Sequence, residues 1–174
     1  MTETRPAAEQ WARLLWPRNN PGATIYGTLV AAALLATEAG LKETAAEMVG
    51  TIMATLVVYW LAHAYADLLA RQALSTDEGP SRPSWHDVVE SLTQELGIIA
   101  GGVLLVIVLV VVDLAGAPQS VAVDAAQLCS ILQLIGWGVF AARQAHLRGM
   151  WFVVYALVSA ALGVLIALLK IALH

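Results

Sequence analysis

A run of polar residues recurs at intervals of four in an otherwise apolar stretch of the chain. It contains side chains that accept or release protons and side chains that bind cations. Because an α-helix repeats every 3.6 residues, a spacing of four places them along one ridge that winds slowly around the axis. The run comprises Glu43, Glu47, Thr51, Thr55, Tyr59, His63, Asp67 and Arg71. The six residues from Glu47 to Asp67 are called the polar ladder below.

The polar ladder has two interpretations. His63 changes charge near neutral pH, and Asp67 one turn away is able to orient it or to exchange protons with it. Tyr59, Thr55 and Thr51 would continue the line, which predicts a proton or cation path. Alternatively, His63 bonds Asp67 or a neighbouring glutamine and simply holds helices together, since intramembrane polar groups also pack bundles.

The elements that must position this ladder are membrane spans. The chain is 59% hydrophobic and 13% charged, with a mean hydropathy of +0.73. A soluble domain is usually about 45–50% apolar and about 25% charged. Five apolar stretches are long enough to cross a bilayer as helices, which predicts an all-α bundle of five transmembrane helices. The predicted spans are 22–40, 46–70, 97–115, 121–142 and 150–173.

Basic residues predict the orientation, because cytoplasmic loops carry an excess of Lys and Arg. With the N-terminus inside, seven arginines face the cytoplasm and only Lys42 and Lys170 face outward. Residues 1–20 are predicted to form a cytoplasmic interfacial helix, and 21–174 the transmembrane domain. Within it, 72–84 is a predicted cytoplasmic loop. Ser84, at the end of this loop, is predicted to form a capping box with Asp87. The arginines are Arg5, Arg13, Arg18, Arg71, Arg82, Arg143 and Arg148.

Further polar residues lie on the fourth span and near the predicted outer surface. The fourth span carries a secondary polar face, which either bonds across helices or lines the same path as the ladder. The acidic residues at the outer surface form either a cation-concentrating mouth or an ordinary solvated rim. The secondary polar face is Asp124, Gln127, Ser130 and Gln133, and the acidic mouth is Glu38, Glu43 and Asp113.

Small residues four apart mark faces on which helices pack closely in lipid. The pattern occurs as Gly27-xxx-Ala31, Gly97-xxx-Gly101 and Ser159-xxx-Gly163. We expect these faces to build the bundle itself rather than contacts between chains.

Several function classes lack their sequence signatures. The single Cys129 excludes an intrachain disulfide and a cysteine-based metal site, and the net charge of −4 gives no case for nucleic-acid binding. Metalloprotease, hydrolase and nucleotide-binding motifs do not occur in the sequence. We therefore expect neither enzymatic activity nor a metal or organic cofactor.

The segments IYGTLVAAALLATEAG and VVYWLAHAYADLL resemble a group of small multi-pass membrane proteins of actinobacteria. The likeness rests on Tyr26-Gly27, on Glu38 and on the stretch from Tyr59 to Ala66. It covers the first two spans well and the remainder weakly. The group has no assigned activity, so the resemblance supplies no functional residues; it implies a bacterial plasma membrane.

These observations predict a small cation or proton permeation protein in the lipid bilayer, with the polar ladder along the route. They also leave open a non-catalytic membrane scaffold or accessory subunit, in which the same residues lock helices together. In either case the protein is expected to form a homo-oligomer or to assemble with another membrane protein.

Overall fold

The computed structural model describes residues 21–38, 44–74 and 84–144, together with Met150, 153–154, 157–158, 161–165 and Leu168. All the described secondary structure is helical, which confirms the predicted all-α class. The predicted interfacial helix in 1–20 lies outside the described residues. The helices are α1 (Pro21–Glu38), α2 (Ala45–Leu74), α3 (Trp85–Gln94), α4 (Gly97–Leu114) and α5 (Gln119–Gln144).

Among the described residues, three helical stretches are long and apolar enough to cross a membrane: Ala45–Ala73, Trp85–Leu114 and Gln119–Phe140. A shorter apolar helix covers Pro21–Thr37. The bounds of α4 and α5 lie within two residues of the predicted spans, whereas α2 continues to Leu74, inside the predicted loop 72–84. The described residues of the predicted fifth span are helical as well.

Local sequence signals explain where α3 begins and where α4 ends. Ser84 caps α3: its Oγ accepts from the backbone N–H of His86, and the Asp87 carboxylate accepts from the Ser84 N–H at 2.9 Å. This confirms the predicted capping box. At the end of α4, Gly116 adopts a φ of 80° and its N–H bonds the Asp113 carbonyl at 2.9 Å. A left-handed glycine in this place ends a helix with little strain.

The centre of the described bundle is α4, which packs against α1, α2 and α5. Glycines on both α1 and α4 allow these two helices to approach very closely. A Cβ at Gly27 would overlap the backbone carbonyl of Ile98, and a Cβ at Gly101 would overlap that of Thr24. The small-residue motifs at Gly27 and Gly101 are therefore confirmed as packing faces within the chain.

The apolar core fixes how α2 is rotated. Met48, Ile52, Leu56 and Ala64 are buried and form a ridge with the same four-residue step as the polar ladder. Each ladder residue lies one position before this step. One residue turns a helix by about 100°, so the ladder runs along the boundary of the bundle rather than through its core.

Candidate functional site

The polar ladder extends along most of α2 but does not form one uniform environment. Glu47 and Thr51 are exposed, whereas Thr55, His63 and Asp67 are half-buried. Tyr59 is 37% exposed. The ladder thus divides into a helix cap, an aromatic middle and a charged end, each with different partners.

Glu47 belongs to the cap of α2. Its carboxylate accepts hydrogen bonds from the backbone N–H of Thr44 at 2.7 Å and from the Thr44 hydroxyl at 2.9 Å. The Thr44 hydroxyl in turn accepts from the Glu47 N–H at 3.3 Å. This reciprocal pair is a capping box, which the Thr-x-x-Glu spacing signals and which the sequence analysis overlooked.

Three rings form an aromatic cluster between α1 and α2: Tyr26, Tyr59 and His63. The ring centroids of Tyr26 and His63 are 4.9 Å apart, and those of Tyr26 and Tyr59 are 5.7 Å apart. Tyr59 and His63 are 6.3 Å apart. The middle of the ladder therefore contacts protein, with Tyr26 as a partner that the sequence analysis did not assign.

The hydrogen bond of His63 indicates which ring nitrogen is the donor. His63 Nδ1 lies 2.9 Å from the carbonyl oxygen of Tyr59 on the same helix. A carbonyl only accepts, so this contact requires the proton on Nδ1. In the neutral ring with this bond, Nε2 is then the acceptor nitrogen.

A groove of about 250 Å³ lies beside the aromatic cluster. Thr55 and Tyr59 form its wall on α2, and the α1 wall is mainly apolar, with Thr37 as its polar member. The groove follows only two positions of the ladder. Its lining comprises Val30, Ala33, Leu34, Thr37, Thr55 and Tyr59.

The charged end of the ladder forms a clamp between α2 and α3. Arg71 donates from Nε to Asp67 Oδ2 at 2.9 Å, from one terminal nitrogen to Glu90 at 3.1 Å and from the other to Gln94 at 2.6 Å. Asp67 Oδ2 also accepts from the Ser91 hydroxyl at 2.8 Å. We call these five residues the α2–α3 clamp. Asp67 and Arg71, four residues apart on α2, form an ion pair, and Asp67 Oδ2 bonds Arg71 and Ser91 rather than His63.

Additional bonds reinforce this contact. Gln94 donates to the same Glu90 oxygen at 2.8 Å. Arg71, Glu90 and Gln94 therefore each bond the other two. The Trp60 indole N–H donates to the carbonyl of Leu92 at 2.9 Å. His86 Nδ1 is 3.8 Å from the other Glu90 oxygen, and the His86 side chain is 83% exposed.

The secondary polar face on α5 is partly used for helix contacts. Gln133 donates to the carbonyl of Gly101 at 2.9 Å. The Thr28 hydroxyl of α1 shares its single proton between the Thr24 carbonyl at 2.9 Å and the same Gly101 oxygen at 3.1 Å. Gln133 therefore forms a hydrogen bond between α5 and α4. Ser130 is buried and bonds the carbonyl of Gln127 at 2.7 Å within α5. The Gln127 side chain is buried without forming the predicted bond across helices to any described residue.

The acidic mouth is described only in part. Asp113 and Asp124 are exposed near the α4–α5 turn. Glu38 is the last residue of α1, and its side chain lies outside the described residues, as does the whole of Glu43. Across the described ranges, no three His, Cys, Asp or Glu side chains converge as metal ligands.

The residues that α3 supplies to the clamp were not predicted from the sequence. Glu90, Ser91 and Gln94 sit at spacings of one, three and four, which places them on one face of a helix. The polar and apolar faces of α3 were a usable signal, but nothing local indicates that its polar face meets Arg71. Thr28 was missed because a lone threonine in an apolar span has no distinctive spacing.

Comparisons with known proteins add no relative. Neither a protein-family model, nor a curated protein, nor a solved structure matches the chain. The resemblance to actinobacterial membrane proteins therefore stays a prediction.

Proposed function

We propose that this chain is a non-catalytic membrane scaffold or accessory subunit whose polar residues lock its helices in place. The observation that carries the proposal is the α2–α3 clamp, in which the Arg71 guanidinium holds three side chains on two helices. Arginine presents a rigid fork of donors, which suits a fixed multi-point contact. A group bound in this way positions helices and is poorly placed to pass an ion onward.

The rest of the ladder supports the same proposal. Glu47 caps α2, and the bonded Asp67 oxygen already accepts from Arg71 and Ser91. His63 uses its Nδ1 on a backbone carbonyl of its own helix. The groove between α1 and α2 reaches only Thr55 and Tyr59 of the six ladder residues.

A flux assay tests the scaffold proposal. The purified protein is placed in liposomes carrying a proton or potassium gradient, beside the Asp67→Asn variant and empty liposomes. We expect all three to leak equally, and we expect Asp67→Asn to unfold at a lower denaturant concentration because it weakens the clamp. Wild-type flux above the empty liposomes would overturn a purely structural role.

The second candidate is proton or cation permeation along the polar ladder, supported by the aromatic cluster. Tyr26, Tyr59 and His63 bring three ionisable side chains together in an apolar stretch. Ionisable groups inside a membrane are costly to insert, so they often mark a functional site. His63 Nε2 would carry the proton between neighbouring positions of the route, with Thr51 and Thr55 continuing the line.

Permeation predicts a specific mutational pattern. Wild-type flux exceeds that of empty liposomes, His63→Ala abolishes the excess, and the matched control His86→Ala on the exposed face of α3 retains it. Equal loss in both histidine variants, or no excess in the wild type, contradicts a route through His63.

We further propose that the chain crosses the membrane five times, with the N-terminus inside and the C-terminus outside. The distribution of basic residues supports this orientation. The fifth span is supported by the helical residues 161–165 and by Gly163, where an added Cβ would lie 3.4 Å from Ile131 of α5.

Labelling of single cysteines tests the topology. On a Cys129→Ala background, Asp77→Cys lies in the predicted cytoplasmic loop and Ala117→Cys in the predicted outer turn. An impermeant maleimide added to intact cells should label Ala117→Cys only, and lysis should expose both. The reverse pattern would invert the orientation.

The setting and the assembly are proposals as well: a bacterial plasma membrane, and a homo-oligomer or a complex with another membrane protein. The apolar spans support the membrane, and the resemblance supports the bacterial one. Native mass spectrometry from membrane vesicles would give the mass of the assembly. A mass of one chain would contradict any stable complex.

A further inference from the structure

Gln127 is a buried polar side chain whose amide forms no hydrogen bond with the described helices. It is 5% exposed, on the buried face of α5. Neither its Oε1 nor its Nε2 has a hydrogen-bond partner among the described residues. A primary amide carries two donors and two acceptor lone pairs, so its whole bonding capacity is uncommitted there.

Such an arrangement is unfavourable unless a small polar ligand completes it. Buried polar groups in native proteins pair with protein groups or with ordered water, because leaving them unpaired in an apolar interior is costly. The neighbouring positions Val123 and Ala126 are buried and apolar and offer no side-chain hydrogen bonds. The amide therefore needs both a donor and an acceptor from elsewhere.

Ser130 adds a third polar group one turn away. It is fully buried, and its hydroxyl donates to the Gln127 carbonyl at 2.7 Å. Since its single proton is used in that bond, its oxygen retains the capacity to accept. Gln127 and Ser130 together offer donors and acceptors on the same stretch of α5.

We propose that Gln127 and Ser130 form a binding site for internal water within the helical bundle. Water is the ligand that matches the chemistry, because it donates two hydrogen bonds, accepts two and is stable in a buried site with two to four polar partners. The site carries no charge of its own, which disfavours a cation: Asp124, the nearest carboxylate along the helix, is exposed.

Gln133 provides a built-in contrast on the same helix. Its Nε2 is already bound to the Gly101 carbonyl at 2.9 Å, and only Oε1 is buried without a described partner. Its orientation is therefore fixed by protein. The water site is assigned to Gln127, where both ends of the amide are uncommitted.

Water-edited solid-state NMR of the full-length protein in liposomes tests the site directly. The protein is labelled uniformly with nitrogen-15, and the Gln127 side-chain signal is assigned by its loss in Gln127→Leu. We expect magnetisation from water to reach the Gln127 side chain several-fold faster than the buried backbone amide of Ala126. Transfer as slow as that to Ala126 would show a dry amide and overturn the proposal.

Ser130→Ala tests whether the serine belongs to the site. We expect slower transfer from water to the Gln127 side chain, with unchanged signals in the α2–α3 clamp as evidence that the fold persists. Unaltered transfer would remove Ser130 from the site. Neither readout depends on ion flux, so this inference and the proposed function fail separately.

Discussion

The contact of α1 with α4 and the contact of α2 with α3 hold helices together by opposite means. At the first, Gly27 and Gly101 bring backbones so close that an added methyl group would overlap a neighbouring carbonyl. At the second, Arg71 links long polar side chains across the gap. Apolar side chains gain little by leaving lipid, so a contact deep in a bundle relies on close packing, whereas charged groups are tolerated where water is near.

The largest loss of stability is expected for a substitution of Gly27, at the centre of the α1–α4 contact. We expect Gly27→Ala to destabilise the fold by about 3 kcal/mol, because the clash is with backbone that cannot rotate away. Titration of the purified protein with sodium dodecyl sulfate, followed by circular dichroism, measures this change.

The matched control for that substitution is Gly50→Ala on α2, where nothing lies within 4 Å of the added Cβ. Alanine favours helix over glycine by up to about 1 kcal/mol, so this variant should be neutral or more stable. Equal losses at Gly27 and Gly50 would refute the close-packing account of the α1–α4 contact.

The clamp should respond less strongly and in a salt-dependent way. In Arg71→Lys a single ammonium replaces the fork that reaches Asp67, Glu90 and Gln94. We expect a smaller loss of stability than for Gly27→Ala, and one that shrinks in high salt because the Arg71 side chain is 38% exposed. Arg143→Lys, at an exposed position of α5, should change little in the same titration. An equal loss of stability in both variants would show that the clamp contributes no specific stabilisation.

The start of α3 positions the α3 half of the clamp. Ser84→Ala removes the capping hydroxyl, which typically costs about 1 kcal/mol of helix stability. Hydrogen exchange should accelerate in the first turn of α3, near Asp87, while α4 remains protected. Ser120→Ala, in the first turn of α5, is the comparison; similar exchange in both variants would argue against a role for the Ser84 cap.

The smallest effect is expected for the shared hydrogen bonds at Gly101. Thr28→Val removes one of the two side-chain donors to its carbonyl, and interhelical bonds of this kind contribute roughly 0.6 kcal/mol in membranes. A double-mutant cycle with Gln133→Leu measures how strongly the two donors interact. Strict additivity would mean that the shared oxygen does not couple them.

The sequence predicted the positions of the helices more reliably than it predicted which helices contact each other. The apolar stretches gave α4 and α5 within two residues, and the Ser84–Asp87 spacing gave the cap of α3, because both signals are local. The interval of four between Asp67 and Arg71 is also a local signal, and it fits the ion pair that these residues form on α2. The links of Arg71 to Glu90 and Gln94 were out of reach, since they depend on how α3 folds back against α2.

The polar ladder shows the same division. Its four-residue step is written in the sequence, and that step alone places Glu47 to Asp67 along one winding ridge of a helix. Whether the ridge faces the core, lipid or another helix is a matter of rotation about the axis. Tertiary packing decided it: Ile52 and Leu56 are drawn into the core, and the ladder, one residue earlier in each turn, is left at the bundle boundary beside Tyr26. Periodicity is fixed by the backbone hydrogen bonds of one segment, whereas orientation is fixed by the apolar surfaces of several segments packing together.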